Sequence, residues 1–137
     1  MPTEPFHIHL YGPHPHDGRL PSPETTPIPT SFEAAGERLN RSLPSVLFEP
    51  DGSFAWAGKD HQVVGMVYDA AMLIQYVEIR GHCDATQLRK LVETLAGTTQ
   101  IDPFAVMVLP ERQWKNFQTF AISLPARGQN RPADCND

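Results

Sequence analysis

Asp60, His61, His82, Cys83 and Asp84 are the densest set of side chains in this chain that can do chemistry. A thiol beside an imidazole base makes an activated nucleophile. Two His, one Cys and one Asp can equally hold a zinc-like ion. Cys83 stands one residue before Asp84, a helix-capping residue, where unpaired backbone amides favour a thiolate. The carboxylate of Asp84 works in the opposite sense. The plain alternative is that Asp84 only caps, Cys83 packs as a small apolar residue, and both histidines are solvated.

A second set is His7, His9, His14 and His16, two His-x-His pairs near the start of the chain. Imidazoles two apart on a strand point the same way and can chelate Cu²⁺, Ni²⁺ or Zn²⁺. Phe6 to Tyr11 alternates apolar and polar residues as a short strand would. Yet eight of the fourteen prolines fall in residues 1–30. That composition predicts an extended or disordered Pro/His-rich arm outside the core, with the histidines as ordinary linker residues.

The elements that position the first set are predicted as a hairpin and a helix. Gln62–Tyr68 and Leu73–Arg80 read as strands around the loop Asp69-Ala70-Ala71-Met72. A four-residue loop sets Tyr68 opposite Leu73, Met66 opposite Gln75 and Val64 opposite Val77. Tyr76 then covers the bare backbone of Gly65, His61 faces Arg80, and Lys59 faces His82. In this register Val64, Met66, Tyr68, Leu73, Val77 and Ile79 make the core face. Val63, Ile74, Tyr76, Glu78 and Arg80 make a mixed one. Asp84-Ala85-Thr86-Gln87 then reads as a capping box for a helix carrying Leu88, Leu91, Val92 and Leu95 on one face, closed by Gly97.

Elsewhere, Thr30-Ser31-Phe32-Glu33 opens a first helix that Pro44 ends. Val46–Glu49 and Ser53–Ala57 are short strands, with Phe54 and Trp56 sharing a core-directed face. Phe104–Leu109 is an apolar run suited to a central strand. Pro110 can start a last helix bearing Trp114, Phe117 and Ala121, although Phe120–Leu124 also suits a strand. Residues 126–137 read as a flexible tail.

The order of helix, antiparallel strands, helix and strand resembles the PD-(D/E)XK nuclease fold. Val77-Glu78-Ile79-Arg80-Gly81 falls where that family's Glu-x-Lys motif would fall. Arg80 replaces the lysine, no acid occupies Gln62–Tyr68 opposite Glu78, and Asp69 stands at the far tip of the hairpin. The resemblance therefore implies a degenerate, inactive relative, since Mg²⁺ would lack paired acids.

A net charge of −5 without a basic run argues against nucleic-acid binding. Cysteine appears only twice, no basic-then-apolar leader opens the chain, and no long apolar run occurs, so the expected setting is cytoplasmic and not a membrane. Gly52, Gly58, Gly81 and Gly97 read as turn or helix-end residues, so no phosphate loop or cofactor is expected. The expected architecture is one α+β domain over residues 31–125: a largely antiparallel four- to five-stranded sheet with two or three helices. The expected function is non-catalytic contact with a protein partner or with a second copy, with the arm as a docking segment. An enzyme built on Cys83, His61 and His82, with Asp60 nearby, is the alternative.

Overall fold

The structure is a computed structural model that describes residues 5–13 and 25–125. Among these residues the chain forms strands β1 (Phe6–Pro13), β2 (Leu47–Phe48), β3 (Ser53–Ala57), β4 (Gln62–Ala70), β5 (Leu73–His82), β6 (Phe104–Val108) and β7 (Gln113–Asn116). The helices are α1 (Phe32–Ser42), α2 (Ala85–Ala96) and α3 (Phe117–Ile122). The strands make one antiparallel sheet in the order β2-β3-β4-β5-β1-β6-β7. The fold is thus α+β, with more strands than expected.

The first correction concerns the arm. Residues 6–13 are an interior strand, hydrogen-bonded to β5 on one side and β6 on the other. Ile8 and Leu10 are fully buried, opposite Ile79 and Val77. The alternation of Phe6 to Tyr11 outweighs the neighbouring prolines, because Pro5 and Pro13 sit at the strand ends, where a missing donor is tolerated. Residues 25–30 also join the body. Ile28 is buried and bridges to Ile74, and Gly12 donates its N–H to the Thr26 carbonyl at 2.8 Å. His14, His16 and the tail 126–137 lie outside the described residues.

The second correction is the hairpin register. Ala71 and Met72 both have positive φ, 55° and 68°, and form a two-residue turn between the paired residues Ala70 and Leu73. This geometry usually selects Asn-Gly, so nothing in the sequence announced it. A bulge beside Gln75 then brings Tyr68 opposite Tyr76, Met66 opposite Glu78, and Val64 opposite Arg80. The shift reverses the face of β4: Val63 and Val67 are buried, while Val64, Met66 and Tyr68 turn to the other side. The bulge also lets Ile74 join Val77 and Ile79 in the core. Gly65 lies opposite Ile79 and is covered by the ring of Phe54, not Tyr76; a Cβ there would collide with that ring and with the Glu78 carbonyl.

The third correction is at the end of the chain. Gln113–Asn116 is an edge strand rather than the start of a helix, so Trp114 stands on the sheet, and the last helix begins at Phe117, capped by Asn116. Residues Phe120–Ile122 complete that helix instead of forming a strand.

The helices follow their sequence signals. Ser31 caps α1, accepting from the N–H of Ala34 at 3.1 Å. Asp84 and Gln87 form a reciprocal capping box on α2, and Gly97 closes it in the left-handed conformation. Arg38 of α1 donates to the carbonyls of Thr94 and Leu95, tying α1 to the end of α2, where unpaired carbonyls favour a cation. The buried side chains of all three helices and of one sheet face form a single cluster. Ile8, Leu10, Val77, Ile79, Val63, Phe54, Trp56 and Val106 come from the sheet; Leu39, Leu88, Leu91, Phe117 and Phe120 come from the helices. Among the described residues the opposite sheet face contributes nothing to that cluster.

Candidate functional site: the open face of the sheet

Side chains able to do chemistry gather at two places: around Cys83, and on the sheet face away from the helices.

At the first, the structure separates the residues by role. Cys83 is fully buried in the core, and burial, with the Asp84 carboxylate adding to it, pushes its thiol up to about 12. Asp84 accepts the N–H of Gln87 at 2.8 Å, and its own N–H reaches Gln87 Oε1 at 2.9 Å. Gln87 Nε2 is therefore the donor to His61 Nδ1, at 3.2 Å, which assigns the imidazole proton to Nε2. His61 packs on Trp56, ring centroids 4.3 Å apart. Burial lowers its pKa, Asp84 and Asp60 raising it in part and His82 lowering it further. Asp60 is exposed on the turn, and His82 lines a shallow depression with Gln62, Val64, Arg80 and Gly81.

The expectation of an activated thiol at the helix start thus meets the desolvation of Cys83, which outweighs the helix terminus. The thiolate at neutral pH is about a thousandfold scarcer than for a thiol of ordinary pKa. In a Cys135→Ala variant, which leaves Cys83 as the only thiol, iodoacetamide at pH 8 is expected to leave the native protein unlabelled. Full labelling should appear only in denaturant; rapid native labelling would restore the thiol reading.

At the second, alternate residues of β1, β5, β4, β6 and β7 project from the sheet away from the helices. The register sets His9 opposite both Glu78 and Met107, and Met107 opposite Trp114. Four rings form a row across the sheet. Tyr68 stacks on Tyr76 (4.6 Å, 21°), Tyr76 on Tyr11 (5.3 Å, 28°), and Tyr11 meets Trp114 (5.5 Å, 53°). His9 leans on Tyr76 at 5.1 Å. Tyr11, His9, Tyr76 and Trp114 are half-buried, and Tyr68 is exposed, at 41%. Burial raises the pKa of Tyr11 and Tyr76, with Tyr76 adding to the effect on Tyr11, and Tyr68 and Glu78 adding to the effect on Tyr76, so both stay neutral phenols. Burial lowers His9, with His7 adding to the effect and Glu78 opposing it.

His7 Nε2 and Glu78 Oε2 are 2.7 Å apart on this face. The structure thus brings together His7 and His9, the first His-x-His pair, and adds Glu78 from β5. Glu78 was singled out in the sequence only as a nuclease-like acid. Here Glu78 lies on the sheet face away from the helices, on an all-antiparallel sheet. The aromatic row was missed in the sequence because the wrong register buried Tyr68 and the arm removed Tyr11. Its legible trace is the spacing His7, His9, Tyr11 against Tyr76 and Glu78, each set two apart.

No family model matches the chain, and neither a curated protein nor a solved structure does. Among the described residues, no helix is long and apolar enough to cross a membrane.

Proposed function

We propose that this protein is a non-catalytic interaction domain whose working surface is the open sheet face, and that its ligand is another protein. The observation that carries this reading is the row Tyr68–Tyr76–Tyr11–Trp114, spanning the sheet on the side where no helix of the core packs. Tyr and Trp offer large apolar area with a polar tip, little side-chain entropy to lose, and a preference for partly wet interfaces. Met66 and Met107, half-buried beside them, are the adaptable apolar residues of such surfaces.

A nucleic-acid ligand also stacks on aromatic rings, but it needs cations along the backbone path. On this face the cation of Arg80 is offset by the neighbouring Glu78, and the chain carries −5 overall, which favours a protein ligand. The buried free thiol of Cys83 fits a reducing, cytoplasmic setting. The burial of the Cys83 thiol and the donation of Gln87 to Nδ1 of His61 support this reading over an enzyme built on Cys83 and His61.

The test is affinity capture from the source cells with the wild-type chain and with a Tyr76→Ser/Trp114→Ser variant, followed by calorimetry on the purified partner. Central aromatic residues of an interface are worth about 2 kcal/mol or more each. The double variant is therefore expected to bind its partner at least tenfold more weakly. Ile122→Ser, which removes an exposed apolar residue on α3, is expected to bind as the wild type does. Equal affinity of the double variant, or loss in Ile122→Ser alone, would move the interface off this face.

A further inference from the structure

We infer that His7, His9 and Glu78 form a binding site for a divalent transition-metal ion of the zinc type, open to solvent on the sheet face. Among the described residues this is the group of three metal-type donors brought within ligand range, their donor atoms all lying within 4.8 Å of one another. The inference stands on these residues alone and does not depend on the protein-binding reading.

The backbone explains why the three meet. His7 and His9 are two apart on β1, so both project to one face. Glu78 of β5 is paired directly with His9 and so projects to the same face. Both strands are interior to the sheet, which fixes the Cβ positions more firmly than a loop would. The Tyr76 ring supports one side of His9, and the His7 ring stands edge-on to it with centroids 5.8 Å apart.

The fit to an ion is a matter of side-chain rotation. A tetrahedral ion with bonds of about 2.0–2.1 Å holds its donors about 3.3 Å apart. The present 2.7 Å contact between His7 and Glu78 must open by roughly half an ångström, and His9, whose donor atom lies within 4.8 Å of the others, must come to the same spacing. The side chains of His7 and Glu78 are 38% and 24% exposed, which leaves a route for the ion and at least one further position for water.

The donor set also selects the ion. Two imidazoles and one carboxylate suit Zn²⁺ or Cu²⁺, whereas Ca²⁺ and Mg²⁺ need more oxygen donors. Arg80, exposed and paired with His7 across the strands, works against ions held by charge alone and less against ions held by nitrogen donors.

The experiment is a titration of tag-free, metal-stripped full-length protein with Zn²⁺ against a chromophoric competitor, repeated with Co²⁺ to read coordination from its visible spectrum. The expected result is one equivalent bound, with the intense bands of a four-coordinate Co²⁺ site. Glu78→Gln, nearly the same shape, is expected to weaken binding by about tenfold or more, and His9→Ala to abolish it. A His14→Ala/His16→Ala variant is expected to bind as the wild type does. Glu78→Gln serves as the folding control, since its melting temperature in chelator should equal that of the wild type. No binding at micromolar Zn²⁺, binding that survives both His9→Ala and Glu78→Gln, or binding lost in His14→Ala/His16→Ala would each overturn the site.

Discussion

Deleting residues 1–13 is expected to leave no folded protein. The deletion removes an interior strand and with it the hydrogen-bonded partner of both β5 and β6. The sheet would split into β2-β3-β4-β5 and β6-β7, each with a newly exposed edge of unpaired backbone groups. Ile8 and Leu10, both fully buried, would leave holes under the helices. Truncating one such residue to Ala costs about 2–5 kcal/mol. The two together approach the whole stability of a small domain, about 5–15 kcal/mol. Circular dichroism and thermal melting of residues 14–137 are expected to show a disordered or aggregated chain, and Ile8→Ala in the full chain a melt lowered by many degrees. A cooperative melt of residues 14–137 near that of the full chain would mean that this segment is the peripheral arm its prolines suggest.

Gly81→Ala is expected to be the most damaging single-methyl change on the sheet. Gly81 has φ +132°, a region closed to residues with a Cβ. A Cβ there would run into the Gln62 carbonyl and lie 2.9 Å from the Val63 Cα, both on the backbone of the paired strand β4. Neither obstacle is a flexible side chain that can step aside. Strained φ costs about 1–3 kcal/mol and overpacking a similar amount, so the sum is about 3 kcal/mol or more. Urea unfolding is expected to show a midpoint lowered accordingly. A midpoint unchanged within error would mean that the strand end relaxes and that the conformation at Gly81 is not imposed by the sheet. The sequence suggested a turn glycine at this position; it lies in the ladder, opposite Phe6 and Val63.

These two cases show where the sequence was readable. α2 was legible throughout, because a capping box, an apolar stripe and a left-handed glycine are local signals that tertiary structure had no reason to override. The strand Ser53–Ala57 and the inward faces of Phe54, Trp56, Val77 and Ile79 were legible from alternation. β1 was not, because proline composition and strand alternation pointed opposite ways and only long-range pairing decides between them. The Ala71-Met72 turn was not, because left-handed residues without glycine or asparagine give no signal. Those two misses hid the open face: one displaced Tyr11, His7 and His9, and the other turned Tyr68 and Met66 inward. The cluster at Cys83 was legible as a neighbourhood, yet burial, which sets its chemistry, is a property of the folded core.

The face bearing Tyr11, Tyr68, Tyr76 and Trp114 is the surface proposed to meet a protein partner. Hydroxyl-radical footprinting with mass spectrometry reads it directly, because Tyr, Trp, Met and His are among the side chains such radicals attack most readily. In the isolated protein Tyr68, Trp114, Met66 and Met107 are expected to be oxidised, and in the partner complex all four are expected to be protected while Leu47 and Ile122 stay reactive. Protection confined to Leu47, Ile122 or Met72, with the aromatic row as reactive as before, would contradict it.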